Sequence, residues 1–307
     1  MRADIWLALA SAACFALSTV AQHRAAVEHA DEGTGTSPLR LVVRLARSPL
    51  WLVGLVAAVA ALLLQALALS KGALVVVQPI LLLGLLLALP LSDALARRMP
   101  GRGEVLAALA VLVGLALFIV AADPDRGVPV ARQGHLLVTA GGWTALALLA
   151  ALLGETVLRG RKALLLGLSG GALIGVSSAL LKQVVGLFGR GPLDALLDPA
   201  FAGVVLTGVA GLIATQAGYA AGHLSASQPA HSIAEPAVAA AIGATAFAEH
   251  LATGALPLLG QVAGALLMVA GVIAIAAVVP DLHDDPHDGS RGRPERTGRP
   301  GAERGVA

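Results

Sequence analysis

Three polar side chains in one apolar stretch, Gln228, His231 and Glu235, have the residue types and the spacing to handle a charge. Steps of three and four residues place them on one face of a helix. An ionisable side chain at the centre of a membrane costs about 2.5 kcal/mol or more, so it is a functional candidate by default. A desolvated carboxyl binds its proton more tightly, and Glu235 could exchange that proton for a substrate. The stripe predicts a site that binds a cation or passes a proton; the alternative is a helix that begins late, with these residues in interfacial water.

Neutral polar side chains recur in the other apolar stretches. Buried amides need hydrogen-bond partners, which either a cavity or a neighbouring helix supplies, and the sequence leaves both open. The predicted substrate-binding or ion-binding residues are therefore Glu235, His231, Gln228, Gln78, Gln65, Gln216 and Tyr219.

The remaining charges suggest structural roles. Lys182, near a helix end, is expected to snorkel to the membrane interface. Asp93 and Glu249 are expected to be cap or boundary charges, and the His283–Asp288 cluster to be a solvated tail. Cys14 is the single cysteine, which excludes an intrachain disulfide. Because no ATP-binding or nucleophile–base motif is present, we expect neither an enzyme nor a cofactor; a metal ligand set stays undetermined.

The composition requires a membrane around these residues. Hydrophobic residues make up 57% of the 307-residue chain and charged residues 13%, whereas a soluble domain carries about 25% charged residues. A net charge of +2 gives no reason to expect nucleic acid. A membrane helix needs roughly 20 apolar residues. About nine segments qualify, which predicts an all-α polytopic fold: Ile5–Gln22, Pro49–Ser70, Gly72–Ser92, Val105–Ala122, Leu136–Gly154, Ala163–Leu187, Phe201–Gly222, Leu224–Ala248 and Leu256–Val279.

A pattern of Gly, five residues, Gln and Pro occurs twice, at Gly72–Pro79 and Gly222–Pro229. Proline in a membrane helix frees backbone groups, and a break of this kind in both halves is typical of repeat-built transporters. Three more matches have the same order: 15–19 with 174–178, 104–114 with 261–271, and Asp93 with Glu249. Helices one to four then correspond to helices six to nine. Each helix of the second copy follows its counterpart by five helices. Because successive spans cross the membrane in opposite directions, this odd number inverts the second copy relative to the first.

These matches predict a four-plus-one-plus-four architecture. Repeat one covers 1–122, a linking helix 123–158 and repeat two 159–279, followed by a disordered tail at 280–307. The helix-breaking residues are Pro79, Pro229 and Pro236, and the sequence leaves open which of the last two corresponds to Pro79. Glu28–Pro38 is expected to be flexible, and Leu39–Arg47 to be an amphipathic surface helix. Gly167, Gly170, Gly171 and Gly175 are expected to allow close helix packing.

The loop charges predict the orientation. One set of loops carries most of the arginines: Arg24, Arg40, Arg44, Arg47, Arg97, Arg98, Arg102, Arg159 and Arg161. The positive-inside rule assigns that set to the cytoplasm. The N-terminus then lies on the outer side of the inner membrane and the C-terminus on its cytoplasmic side. The first segment weakly resembles a signal peptide; we interpret it as a retained helix because it has a counterpart in the second half.

The pattern formed by Gln65, Ala68, Leu69 and Gly72, followed by Gln78-Pro79, resembles the drug/metabolite transporter superfamily. The stretch from Pro236 to Glu249, with Gly264 and Gly271 beyond it, is similar to the EamA repeat. Nine helices, with Trp51 opening the second, look more like the NIPA-like branch, which is associated with magnesium transport.

The residues and the resemblance together predict a secondary transporter that moves a small solute or cation by alternating access. The alternatives are a NIPA-like magnesium or divalent cation permease and, in another class, a membrane scaffold or partner subunit without transport. The expected partners are the lipid bilayer and the substrate, and a homodimer stays open.

Overall fold

The computed structural model describes residues 3–30, 47–84, 86–88, 91, 101–221 and 224–278, which form helices and connections without a strand. The helices are α1 (Ala3–Ala30), α2 (Pro49–Lys71), α3 (Leu74–Leu81), α4 (Arg102–Ala122), α5 (Gln133–Glu155), α6 (Lys162–Phe188), α7 (Pro192–Leu197), α8 (Pro199–Ala220), α9 (Leu224–Ala246) and α10 (Ala255–Val278), with a 3-10 turn at Arg159–Arg161. The predicted all-α class is confirmed.

Seven helices among the described residues are long and apolar enough to cross a membrane: α1, α2, α4, α5, α6, α8 and α10. The apolar stretch Leu74–Ala88 is shorter. Helix α9 has 23 residues, but Gln228, His231 and Glu235 lie within it and lower its hydropathy. The sequence prediction of a membrane protein with several spans is therefore confirmed at this coarser level.

The helices pack through small residues. On α4, a Cβ atom added to Gly114 would lie 2.7 Å from the Gly264 carbonyl oxygen of α10. Between α1 and α2, the Ser11 hydroxyl donates to the Ala61 carbonyl oxygen at 2.7 Å. Lipid is as apolar as leucine, so helices in a membrane associate through such close packing and hydrogen bonds rather than through hydrophobic burial.

Helix α6 is the most buried of the candidate spans and packs against α5, α8 and α9. Its glycines 167, 171 and 175 face α9, where added Cβ atoms would lie 2.4, 2.3 and 2.5 Å from the carbonyl oxygens of Ser227, His231 and Glu235, respectively. Gly170 faces Thr215 of α8 in the same way. The prediction that these glycines allow close packing is confirmed.

We expect Gly171→Ala to lower the free energy of unfolding by about 1–3 kcal/mol, because its methyl group meets the backbone of α9. The matched control is Gly141→Ala on α5, where an added Cβ meets nothing within 4 Å. That change should raise stability by about 0.5–1 kcal/mol through helix propensity alone. Thermal unfolding of the purified proteins in detergent measures both, and shifts of the same sign would contradict the packing described for α6.

Two sequence expectations differ from the structure. Helix α1 continues to Ala30, so residues 28–30 are helical where a flexible segment was expected. Within the expected helix over Gly72–Ser92, α3 is followed by a turn at Leu82, shortly after the helix-breaking Pro79, and the described residues 83–84, 86–88 and 91 beyond the turn are again helical. Residues 39–46, Asp93 and the tail at 280–307 lie outside the described residues.

Candidate functional site

Polar side chains connect α8 to α9 beside the glycine face of α6. The Thr215 hydroxyl and Nδ1 of His231 are 3.0 Å apart, and Nε2 of His231 lies 3.4 Å from Oε2 of Glu235. One turn along α8, the Tyr219 hydroxyl donates to Oε1 of Gln228. We call these five residues the His231 cluster. It unites four predicted site residues, Tyr219, Gln228, His231 and Glu235, with Thr215, which the sequence analysis did not single out.

The ionisable pair of this cluster lies deep in the bundle. The Glu235 backbone packs on Gly175, which is the middle residue of the 27-residue helix α6. The side chains of His231 and Glu235 are 16% and 19% exposed. The pair is therefore largely withdrawn from the surface at about the mid-height of α6.

The hydrogen bonds of Thr215 determine where the protons of the pair reside. A hydroxyl has a single proton to donate, and Thr215 donates it to the Gly211 carbonyl oxygen at 2.8 Å. Nδ1 of His231 must then donate to Thr215, which leaves Nε2 facing the carboxyl of Glu235. At 3.4 Å, Nε2 and Oε2 form an ion pair whenever the imidazole is protonated and the carboxyl is ionised.

The other predicted polar residues lie apart from the His231 cluster. Nε2 of Gln65 donates to the Ser178 hydroxyl at 3.3 Å, which links α2 to α6. Gln78 is 1% exposed, and neither atom of its amide has a hydrogen-bond partner. Gln216 is exposed on α8. No hydrogen bond among the described residues joins these three glutamines to the cluster.

A buried ion pair joins several segments at one end of the bundle. Nζ of Lys182 donates to Oε1 of Glu249 at 2.5 Å and to the carbonyl oxygens of Gly72 and Arg126 at 3.3 and 3.2 Å. The side chains of Lys182 and Glu249 are 3% and 1% exposed. We call this arrangement the Lys182 junction. The expectation that Lys182 snorkels to the interface is wrong, because acceptors from three chain segments enclose its ammonium group.

Glu249 also caps a distant helix. Its Oε1 and Oε2 accept the backbone N–H groups of Leu74 and Val75 at 2.8 and 3.2 Å, at the start of α3. These N–H groups have no partner within their own helix, so a carboxylate stabilises them. The sequence prediction of a cap charge is confirmed for Glu249, although the helix it caps is α3 rather than its own.

Two loops cover the junction. Val128 N–H donates to the Phe247 carbonyl oxygen at 2.8 Å, and Ala252 N–H donates to that of Ala122 at 2.7 Å. Oδ1 of Asp125 accepts His250 N–H at 3.0 Å, and this bond contributes most to lowering the pKa of the Asp125 carboxyl below its ordinary value. A carboxyl with a lowered pKa stabilises the fold above its unfolded pKa, and this contribution is lost as the pH falls through the folded pKa. The loop contact therefore persists at neutral pH.

The described part of the chain brings together no group of three or more His, Cys, Asp or Glu side chains that could hold a metal ion. The metal-binding residue types at 283–288 lie outside it.

Comparison with known proteins gives one informative match. An uncharacterized protein from Corynebacterium glutamicum is 34% identical over 283 residues, which cover 89% of this chain and 94% of that protein. No family model matches the chain. No solved structure matches it either.

Proposed function

We propose a transport function for the family to which this chain belongs, the family that it shares with the Corynebacterium glutamicum protein. The protein moves a small solute or cation across the inner membrane by alternating access, in exchange for a proton held by His231 and Glu235. The observation that carries the proposal is the contact between His231 and Glu235 at the mid-height of α6. Ionisable residues kept at such depth generally mark substrate or proton pathways.

The backbone of α9 supports a binding role beside the pair. Pro236 directly follows Glu235 and has no N–H to offer to the Ser232 carbonyl. Irregular backbone within a membrane is tolerated where protein or a cavity surrounds it, and transporters use freed carbonyls to coordinate ions. A substrate at this point would meet the Glu235 carboxyl, about one helical turn from the Ser232 carbonyl that receives no bond from Pro236.

Inverted repeats and membership of the drug/metabolite transporter superfamily are part of the proposal. Glu249, just beyond the C-terminal end of α9, binds the N-terminal N–H groups of α3, so these two helices begin at opposite ends of the bundle. Gln78-Pro79 and Gln228-Pro229 each start four residues into their helix. This common register favours Pro229 as the counterpart of Pro79. The close pairs α1–α2 and α6–α8 also correspond under a four-plus-one-plus-four arrangement.

Alternating access requires one end of the bundle to be closed in each state. The Lys182 junction and its two covering loops provide such a closure. The buried polar atoms of Gln78, Ser169 and Ser227 have no hydrogen-bond partner among the described protein groups. Unpaired buried polar atoms are costly, and water or substrate that enters the bundle would supply their partners. With the arginine-rich loops in the cytoplasm, the closed end faces outward.

Flux through reconstituted vesicles tests this function. Vesicles that enclose a pH-sensitive dye receive a panel of small solutes, or Mg²⁺, with and without an imposed pH gradient. We expect one class of solute to cause proton movement, reported by the dye, and only in vesicles that contain the protein. Mg²⁺ flux that is independent of the pH gradient would favour the divalent cation permease. The absence of flux under every condition would favour a scaffold.

A further inference from the structure

A cavity lies beside the Lys182 junction, with a buried carboxyl in its wall. Its volume is about 100 Å³, and it is lined by Asp4, Ala73, Val76, Pro124, Asp125 and Arg126. Asp4, in the first turn of α1, is 4% exposed, and its Oδ1 has no hydrogen-bond partner. Asp4 thus places a buried carboxyl in the cavity wall, and one oxygen of that carboxyl has no hydrogen-bond partner among the described residues.

Among the described residues, no cation forms an ion pair with Asp4. Lys182 is already paired with Glu249, and its ammonium group also donates to two carbonyl oxygens. Arg126 lines the cavity but is exposed, so water and salt screen its charge. Asp125 adds a second carboxylate, whose side chain is 57% exposed. An isolated buried carboxylate is strongly unfavourable, and a bound cation would offset that cost.

We propose that this cavity binds one small hard cation, of the class of Na⁺, Mg²⁺ and Ca²⁺, through the carboxyl of Asp4. Hard cations prefer oxygen ligands, and a site with only one or two carboxylates leaves water in the coordination shell. A cavity of about 100 Å³ has room for an ion together with some of its waters.

Thermal unfolding of the full-length protein in detergent tests this site without any transport measurement. Choline chloride is replaced at constant ionic strength by NaCl, MgCl₂ or CaCl₂. We expect at least one of these salts to raise the Tm by about 3 °C at tenfold above its Kd. Asp4→Asn should abolish this rise, whereas Asp194→Asn, a control on the exposed residue Asp194 of α7, should keep it.

Asp4→Glu keeps the charge, shifts it by one methylene group, and serves if Asp4→Asn does not fold. It should retain the rise but require several-fold more cation. A Tm that depends on none of the three cations would show that a proton neutralises Asp4 and would overturn the inference. An unchanged rise in Asp4→Asn, or an unchanged half-maximal concentration in Asp4→Glu, would also overturn it. Failure here would leave the transport proposal standing, since that depends on the His231 cluster.

Discussion

Lys182→Met lowers the free energy of unfolding by about 3–5 kcal/mol, the loss typical of breaking a buried ion pair from one side. The substitution leaves Glu249 as a buried charge without its cation and removes a donor from the carbonyl oxygens of Gly72 and Arg126. Because these acceptors belong to separate segments, the loss should loosen the whole closed end. Thermal unfolding in detergent should show a Tm lower by about 10 °C.

The chain contains a matched control for this change. Lys162 pairs with Glu155 at 2.8 Å, but the two side chains are 36% and 47% exposed. Lys162→Met should therefore cost less than about 1 kcal/mol. Adding Glu249→Gln to Lys182→Met should recover part of the loss, since the buried charge disappears while the amide oxygen can still cap α3. Equal costs for the two lysines would contradict the importance of the junction.

Glu235→Gln should abolish accumulation driven by a pH gradient. Exchange of one proton for one neutral solute stores 1.36 kcal/mol per pH unit, which corresponds to a tenfold concentration ratio. The amide of glutamine can keep a hydrogen bond to His231 but cannot take up or release a proton near neutral pH. In the variant, the ratio reached with the transported solute should therefore fall from about ten to about one.

Solute exchange without a gradient separates coupling from folding. Glu235→Gln vesicles should exchange labelled for unlabelled solute at a reduced but measurable rate, because that reaction needs no net proton movement although the substrate has lost a charged contact. Glu155→Gln, on the exposed end of α5, should keep both activities. Persistent tenfold accumulation in Glu235→Gln would rule out Glu235 as the coupling group.

Helical periodicity was sufficient to predict much of the His231 cluster. Gln228, His231 and Glu235 share one face of α9, so local spacing alone brings them together. Thr215 was missed because a threonine in an apolar helix is usually a packing residue or bonds to its own backbone. A usable signal existed, since Thr215 and the predicted Tyr219 lie four residues apart on α8. Gln78 was predicted because it belongs to the repeated Gln-Pro pattern. The burial of its side chain, however, depends on the residue at which α3 begins.

The Lys182 junction could not be predicted from local sequence. The partners of Lys182 lie 56, 67 and 110 residues away along the chain. A lysine near a helix end reaches the interface when nothing covers it, and the snorkelling prediction rested on that condition. Here the loops after α4 and α9 cover it, and their contacts come from tertiary structure that has no sequence period.

Proton release on solute binding tests most directly the claim that the His231–Glu235 pair exchanges a proton for substrate. The purified protein is held in weakly buffered detergent solution near neutral pH, and the transported solute is added while the pH is recorded. The wild type should release about one proton per bound solute, because the proposed exchange sends out one proton from the His231–Glu235 pair for each solute taken up. Glu235→Gln should bind solute and release none. Equal release from both proteins would contradict the account.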